Sequence, residues 1–425
     1  MVTNLQKTLV SDAFNRKSFY NFVGNLKKPM ENQIPVSSLS FDNTEIAFKH
    51  LSNKELKESY WLFKIISNRF LAKVGPVLTK TALFLRMPVS GIIKATLFKQ
   101  FCGGETISGC TPVVLRLFAN KVGTILDYSV EGAAEESVFD QTAQHILNSI
   151  DKAVEMPQAI PFCVFKVSGL ARFSLLEKIA SKEELKHFEA VEWQKALNRI
   201  ELICKKASDF YQPVMIDAEE SWIQDVIDDV AIAMMQKYNK DRPIVFNTYQ
   251  LYRNDKLTSL IADFTIAETG QFVLGAKLVR GAYMEKERIR AVEKGYPSPI
   301  HLDKEATDRD FDASVSFCLD HITHIAFAAA THNQHSCEIL VAEIEQRKIK
   351  SNHPHIYFAQ LLGMSDNISF NLSVNNFNVV KYVPYGPVKS VLPYLFRRAE
   401  ENTSIAGQMS RELNLINREL KRRGV

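Results

Sequence analysis

FVLGAKLVRGAY, residues 272–283, is a run of strand length that is too continuously apolar for a half-exposed strand and suits one covered on both faces. Two cations interrupt it. Lys277 and Arg280 lie three apart and therefore on opposite faces of an extended chain. Gly281 follows them, where a bend or a close approach of another group is allowed. A large anionic or electron-accepting cofactor explains these cations better than a structural ion pair does.

The same texture recurs outward in both directions, in VGTILDYSV (122–130), FCVFKVSG (162–169), PVMIDAE (213–219), PIVFNTYQ (243–250), HIAFAAATHN (324–333), HIYFAQLLG (355–363) and NVVKYVPYG (378–386). Helical candidates separate the runs, among them 141–154, 221–238, 309–320, 336–345 and 388–401. Eight such strands alternating with helices predict an α/β fold, a (βα)8 barrel. A doubly wound sheet is the rival, but one binding a dinucleotide would carry a glycine fingerprint, and no GxGxxG occurs. Upstream, 54–67, 70–84 and 92–101 read as helices. The expected organisation is an N-terminal extension (1–40), a helical segment (41–118), the barrel (119–412) and a basic helix end (413–425).

A barrel collects its chemistry at the C-terminal ends of its strands. Seven of the eight runs end in functional groups: Asp127 and Glu131, Lys166, Asp217 with Glu219, Asn247 with Tyr249, Lys277 with Arg280, Thr331-His332-Asn333, and Tyr382. The helix after the eighth run contains YLFRRAEEN (394–402), which puts Tyr394, Arg397, Arg398 and Glu401 on one face. Adjacent arginines facing a barrel mouth imply an anion, because guanidinium forks bind carboxylate or phosphate bidentately. Tyr394 and Tyr382 suggest that the anion's body is small and apolar. The Thr331-His332-Asn333 turn before a helix suits a phosphate or ribityl group. His332, His335 and Glu338 span a strand-to-helix junction without the spacing of helical zinc ligands, so no metal is expected. In DAEESW (217–222), Asp217 is the acid/base candidate, while Glu219 and Glu220 suit a helix dipole.

Composition narrows the classes. The 425 residues carry 52 basic and 48 acidic side chains, a balance that argues against nucleic acid. Six cysteines without CxxC spacing read as reduced thiols. The stretch 82–97 is broken by Arg86, Pro88, Gly91 and Lys94, so nothing approaches the ~18–20 apolar residues of a membrane span. Residues 1–29 hold Lys7, Arg16, Lys17, Lys27 and Lys28 against Asp12, only a weak likeness to a transit peptide.

From about Phe41 onward the chain resembles the proline dehydrogenase family, on KLVRGAYMEKER (277–288), DAEESW (217–222), FNTYQLY (246–252), ATHN (330–333) and KYVPYGPV…LPYLFRRAEEN (381–402). The resemblance implies a distorted (βα)8 TIM-type barrel that binds FAD non-covalently and oxidises L-proline to Δ1-pyrroline-5-carboxylate by hydride transfer to flavin N5. It implies that Arg397 and Arg398 clamp the proline carboxylate with Lys166 beside it, and that Leu361, Tyr382 and Tyr394 wall the ring. Lys277, Val279, Arg280 and Gly281 match the strand passing the isoalloxazine. Asn247, with Tyr249 on the same run, falls where relatives place a glutamine on the flavin. Thr331, His332 and Asn333 match the phosphate and adenosine contacts, and Glu401 a glutamate near the ribityl chain. The order KLVRGAY, not RLVKGAY, is that of monofunctional and mitochondrial-type members; Lys277 is favoured over Arg280 at N5. The implied partners are a quinone-type acceptor, with peripheral membrane contact through the basic end RELKRRGV, and a separate pyrroline-5-carboxylate dehydrogenase. The implied location is the inner face of the cytoplasmic membrane in a bacterium, or the mitochondrial matrix and inner membrane in a eukaryote. An ion pair of Arg397 with Glu131 is expected to close over substrate. The rivals are a hydroxyproline dehydrogenase and a catalytically silent barrel that only binds.

Overall fold

The structure, a computed structural model, describes residues 39–67, 90–128, 135–404 and 408–425. Every predicted run is a strand: β1 (Val122–Tyr128), β2 (Phe162–Phe165), β3 (Val214–Ile216), β4 (Val245–Gln250), β5 (Leu274–Val279), β6 (Ile325–Ala330), β7 (Ile356–Leu361) and β8 (Val379–Tyr385). They close in chain order into one barrel. Strand β4 runs parallel to β5, and β1 runs parallel to β8. The strands are buried almost throughout, which is why their sequences lack polar alternation.

Helices α1 (Thr44–Phe48), α2 (Asn53–Ile66) and α3 (Ile107–Phe118) precede β1. The stretch read as one helix at 92–101 is instead α-helical at Ser90–Ile93, a π-turn at Lys94–Phe98 and α-helical again at Lys99–Phe101; the expected helix at 70–84 lies outside the described residues. The remaining helices are α4 (Glu136–Glu155), α5 (Phe173–Ala180), α6 (His187–Asp209), α7 (Ser221–Tyr238), α8 (Lys256–Gly270), α9 (Met284–Lys294), α10 (Lys304–Asp320), α11 (Gln334–Gln346), α12 (Asp366–Val374), α13 (Val388–Ser404) and α14 (Gln408–Arg423).

The chain divides into two compact units. Among the described residues, one comprises 173–357 and the other 39–172 with 358–425. In the second unit, apolar residues of α1, α2, α13 and α14 share one core, including Phe48, Leu56, Phe63, Val391, Leu395, Leu415 and Ile416. The basic end of α14 belongs to this assembly. Arg423 bonds Glu419 and donates to the carbonyls of Phe48 and Leu51, each at 2.8 Å, satisfying acceptors at the end of α1. Arg423 is thereby committed to the fold; Lys421 is exposed.

Candidate active site

Strand β4 sets the geometry of the first unit. Its side chains alternate between the faces of the barrel wall. Asn247 donates to Asp228 of α7 at 2.9 Å, and the Tyr249 hydroxyl donates to Asp263 of α8 at 2.8 Å. Both therefore face the helices, and neither lies on the inner face, where the sequence reading had put them as cofactor contacts. A period-two element admits only one of two adjacent faces, and the helix layer claims 247 and 249. The inner face carries Thr248 and Gln250 instead. Gln250 donates through Nε2 to the Glu219 carbonyl at 2.9 Å, while its Oε1 is buried without a hydrogen-bond partner.

Thr248 lies beside Lys277 in the parallel ladder, so Lys277 shares the inner face. Its ammonium meets Asp217, just past β3, at 2.6 Å, with both side chains nearly buried. Two residues singled out separately thus form one ion pair. The loop carrying Asp217 is fixed from α9: Glu287, fully buried, accepts from the Ser221 N–H at 2.7 Å and the Ser221 hydroxyl at 2.5 Å. A carboxylate from another helix so caps α7. Glu220 pairs with Lys286, also of α9.

Arg280 faces the other way, as the spacing of three demanded. It lies 4.4 Å from the centroid of Phe311 and donates to Asp308 (2.7 Å), Thr331 Oγ1 (2.6 Å) and Ser336 Oγ (2.9 Å). Thr331 Oγ1 also accepts from the Asn333 N–H at 3.0 Å. Asn333 caps α11 through its side-chain oxygen, taking the His335 N–H at 2.9 Å. Arg280 thus organises the Thr331-His332-Asn333 turn; half-buried His332 and Asn333 stand at its rim. Gly281 is required by a close approach, but the approaching group is protein. Its φ is +132°, and a Cβ there would lie 2.5 Å from the Tyr252 ring. Val279, half-buried, closes β5 on the inner face. His335 lies 3.7 Å from Glu338, and among the described residues no group of three His, Cys, Asp or Glu is placed to hold a metal.

The second unit gathers the other candidates. Leu361 ends β7 beside Tyr382 of β8. On β8, Tyr385 turns outward to Ser149 of α4 at 2.8 Å, which assigns Lys381 to the helix-facing side and Tyr382 to the inner face. Leu361 and Tyr394 pack in the same apolar core, and the Arg398 guanidinium stands 5.2 Å from the Tyr394 ring centroid. Arg398 is buried and Arg397 half-buried on α13. Lys166, half-buried, follows β2. Glu131 lies outside the described residues, as does the side chain of Glu401.

The sequence profile of proline dehydrogenase aligns with residues 111–411. The chain belongs to the proline dehydrogenase family. As a proline dehydrogenase family member it is an oxidoreductase, and the family's reaction is the oxidation of proline. Mitochondrial proline dehydrogenase 1 of Dictyostelium discoideum is 32% identical, with 91% of this chain and 75% of that protein aligned. The human mitochondrial proline dehydrogenase 1 is 38% identical over 59% of this chain but only 41% of its own length, so the aligned part spans less than half of that relative. The carbapenem antibiotics biosynthesis protein CarD of Pectobacterium carotovorum is 31% identical over 76% of this chain and 83% of that one. The solved proline utilization A of Bdellovibrio bacteriovorus shares the fold, at a TM-score of 0.67 and 16% identity over 96% of this chain and 42% of that protein.

The sequence reading missed Gln250, Thr248 and Glu287. The alternation of β4 would have exposed the first two once either Asn247 or Tyr249 was assigned to the helices. Glu287 carried no local signal, because its partner Ser221 is remote in sequence.

Proposed function

We propose that this chain oxidises L-proline to Δ1-pyrroline-5-carboxylate with a non-covalently held FAD. The observation that carries the cofactor is Gln250 Oε1, a buried acceptor without a partner, on the inner face near the Lys277–Asp217 pair. An orphaned buried acceptor costs about 1–3 kcal/mol unless a ligand donor meets it, and a flavin's ring N–H is such a donor. The residues fit the group: Lys277, Gln250 and Val279 would flank the heterocycle, and the turn organised by Arg280 would hold the phosphate end. Bound there, the flavin supplies a two-electron acceptor for the C–N bond of proline. Lys277, fixed by Asp217, keeps positive charge in place beforehand, so no reorganisation is needed when charge develops. Arg397, Arg398 and Lys166 hold the substrate carboxylate, and Leu361, Tyr382 and Tyr394 exclude water and orient the ring.

A quinone-type molecule as final acceptor, a separate dehydrogenase for the product and a mitochondrial setting complete the reading. The last rests on the mitochondrial proline dehydrogenases among the relatives. The test is the visible spectrum of the purified protein. A flavin spectrum bleached by anaerobic proline and restored by a soluble quinone supports the proposal. A colourless protein, or a flavin that proline leaves oxidised, defeats it.

A further inference from the structure

Lys381 is buried completely, on the helix-facing side of β8 and next in sequence to Tyr382. A buried ammonium needs acceptors for its three N–H groups. It finds them in the turn that follows β7: the Met364 carbonyl at 2.5 Å, the Leu361 carbonyl at 3.4 Å and Asp366 Oδ1 at 2.8 Å. The turn itself is conformationally demanding, with Gly363 at φ +75° and Ser365 at +51°. Other elements hold the rest of it. Gln100 donates to the Gly363 carbonyl at 3.1 Å and is itself held by Ser59, and Glu412 of α14 accepts the Ser365 N–H at 2.7 Å. His50 reaches Asp366 from the other side at 3.4 Å.

The residue that opens this turn is Leu361. We propose that Lys381 is a positioning residue: its ammonium fixes the turn after β7, and thereby holds Leu361 as a rigid wall beside Tyr382 against an apolar ring. The proposal rests on the substrate reading above, which makes that ring pyrrolidine. Leu361 is the last residue of β7; one further ladder bond, from the Leu362 N–H to the Tyr382 carbonyl at 3.0 Å, precedes the turn, which folds back so that the Met364 N–H donates to the Leu361 carbonyl at 3.3 Å. Gly363 cannot be replaced to stiffen the turn, because a Cβ there would meet the Gln100 carbonyl oxygen at 2.2 Å. Side-chain bonds from β8 and the surrounding helices supply the rigidity instead.

The test uses the full chain with its bound cofactor and reads binding by calorimetry, independently of turnover. Two carboxylates serve as probes: cyclopentanecarboxylate, which has the ring, and acetate, which does not. Lys381→Met alone leaves the Asp366 carboxylate without its ammonium partner, with His50 the remaining side chain against it, and endangers folding. The double variant Lys381→Met/Asp366→Asn removes both charges together, which cores tolerate far better. In the double variant the ring-bearing probe is expected to weaken about 10-fold while acetate is unchanged, the low end for lost packing in an apolar pocket. KM for proline rises similarly with kcat within about twofold, the mark of lost ground-state binding. Gln100→Ala, which frees the Gly363 carbonyl without touching a charge, shifts the same ratio in the same direction by less. An unchanged probe ratio in both variants, or a fall in kcat at constant KM, overturns the proposal. A wild type that prefers the ring-bearing probe, loses that preference in the double variant, yet does not oxidise proline would sink the substrate reading and keep the positioning role.

Discussion

Two lysines interrupt apolar strands of this barrel, and each meets an aspartate. Lys277 of β5 turns inward to Asp217 at 2.6 Å; Lys381 of β8 turns outward to Asp366 at 2.8 Å. In sequence both read as the same anomaly, a cation in a buried run. Their surroundings separate them. Lys277 stands by Gln250, whose amide oxygen has no protein partner, whereas Lys381 has two backbone carbonyls besides its carboxylate. The inner pair sits beside an unanswered acceptor, and the outer pair completes a turn. A buried ion pair is by itself weak evidence for either function or stability, so the company it keeps decides.

The largest effect expected from this contrast is on folding. Asp366→Asn takes from the buried Lys381 ammonium its paired carboxylate and should destabilise the protein by about 3–5 kcal/mol at neutral pH, read as a shift of the urea midpoint at constant m. The pH dependence has a definite sign. Although burial opposes its charge, Lys381 and His50 hold Asp366 well below the usual carboxylate range. Its contribution is therefore present above the ordinary aspartate value and is lost as pH falls below that value. Asp263 behaves oppositely. Burial first, then the Asp228 charge, push it up to about 7, despite the Tyr249 hydroxyl and nearby Lys256; Asp229 adds to the rise. Its contribution is full below the ordinary aspartate value and disappears as pH rises through about 7. Thermal melts across that range should show Asp263→Asn flattening the neutral-side decline and Asp366→Asn removing the acid-side loss. Matching slopes in the two variants would erase the distinction.

Next comes the inner pair. Lys277→Met should lower kcat for proline by roughly 10²–10³-fold, the usual cost of removing one preorganised electrostatic group, with a smaller change in KM. Steady-state kinetics on flavin-loaded protein checks it. A variant that loses only KM would make the two pairs equivalent and leave the comparison without content.

The smallest effect concerns the ring wall. Tyr382 shares the inner face with Leu361 and is nearly buried. A site that clashes with an added hydroxyl, or leaves it dry, should prefer proline to 4-hydroxyproline by about 10–150-fold, or 1–3 kcal/mol. Tyr382→Ser should narrow that ratio and lower the efficiency on proline. Equal kcat/KM for both substrates in the wild type would assign Tyr382 another role.

The sequence by itself determined the barrel. Eight apolar runs alternating with helices suit strands covered on both faces, and all eight are strands, with 221–238 matching α7 at both ends. It also separated Lys277 from Arg280, because a strand's period of two is local geometry. Tertiary structure decided which face each residue took. FNTYQ places polar groups on both sides of β4, and nothing in those five residues says that Asp228 and Asp263 wait in the helix layer for Asn247 and Tyr249. The approach at Gly281 was legible as a demand for space, but that Tyr252 fills it was not. Lys381 looked like part of a motif around Tyr382, and only the turn after β7 gave its charge a destination. Periodicity is written in neighbouring residues; the partner of a buried polar group comes from segments brought together by the fold, so its identity appears only once the barrel has closed.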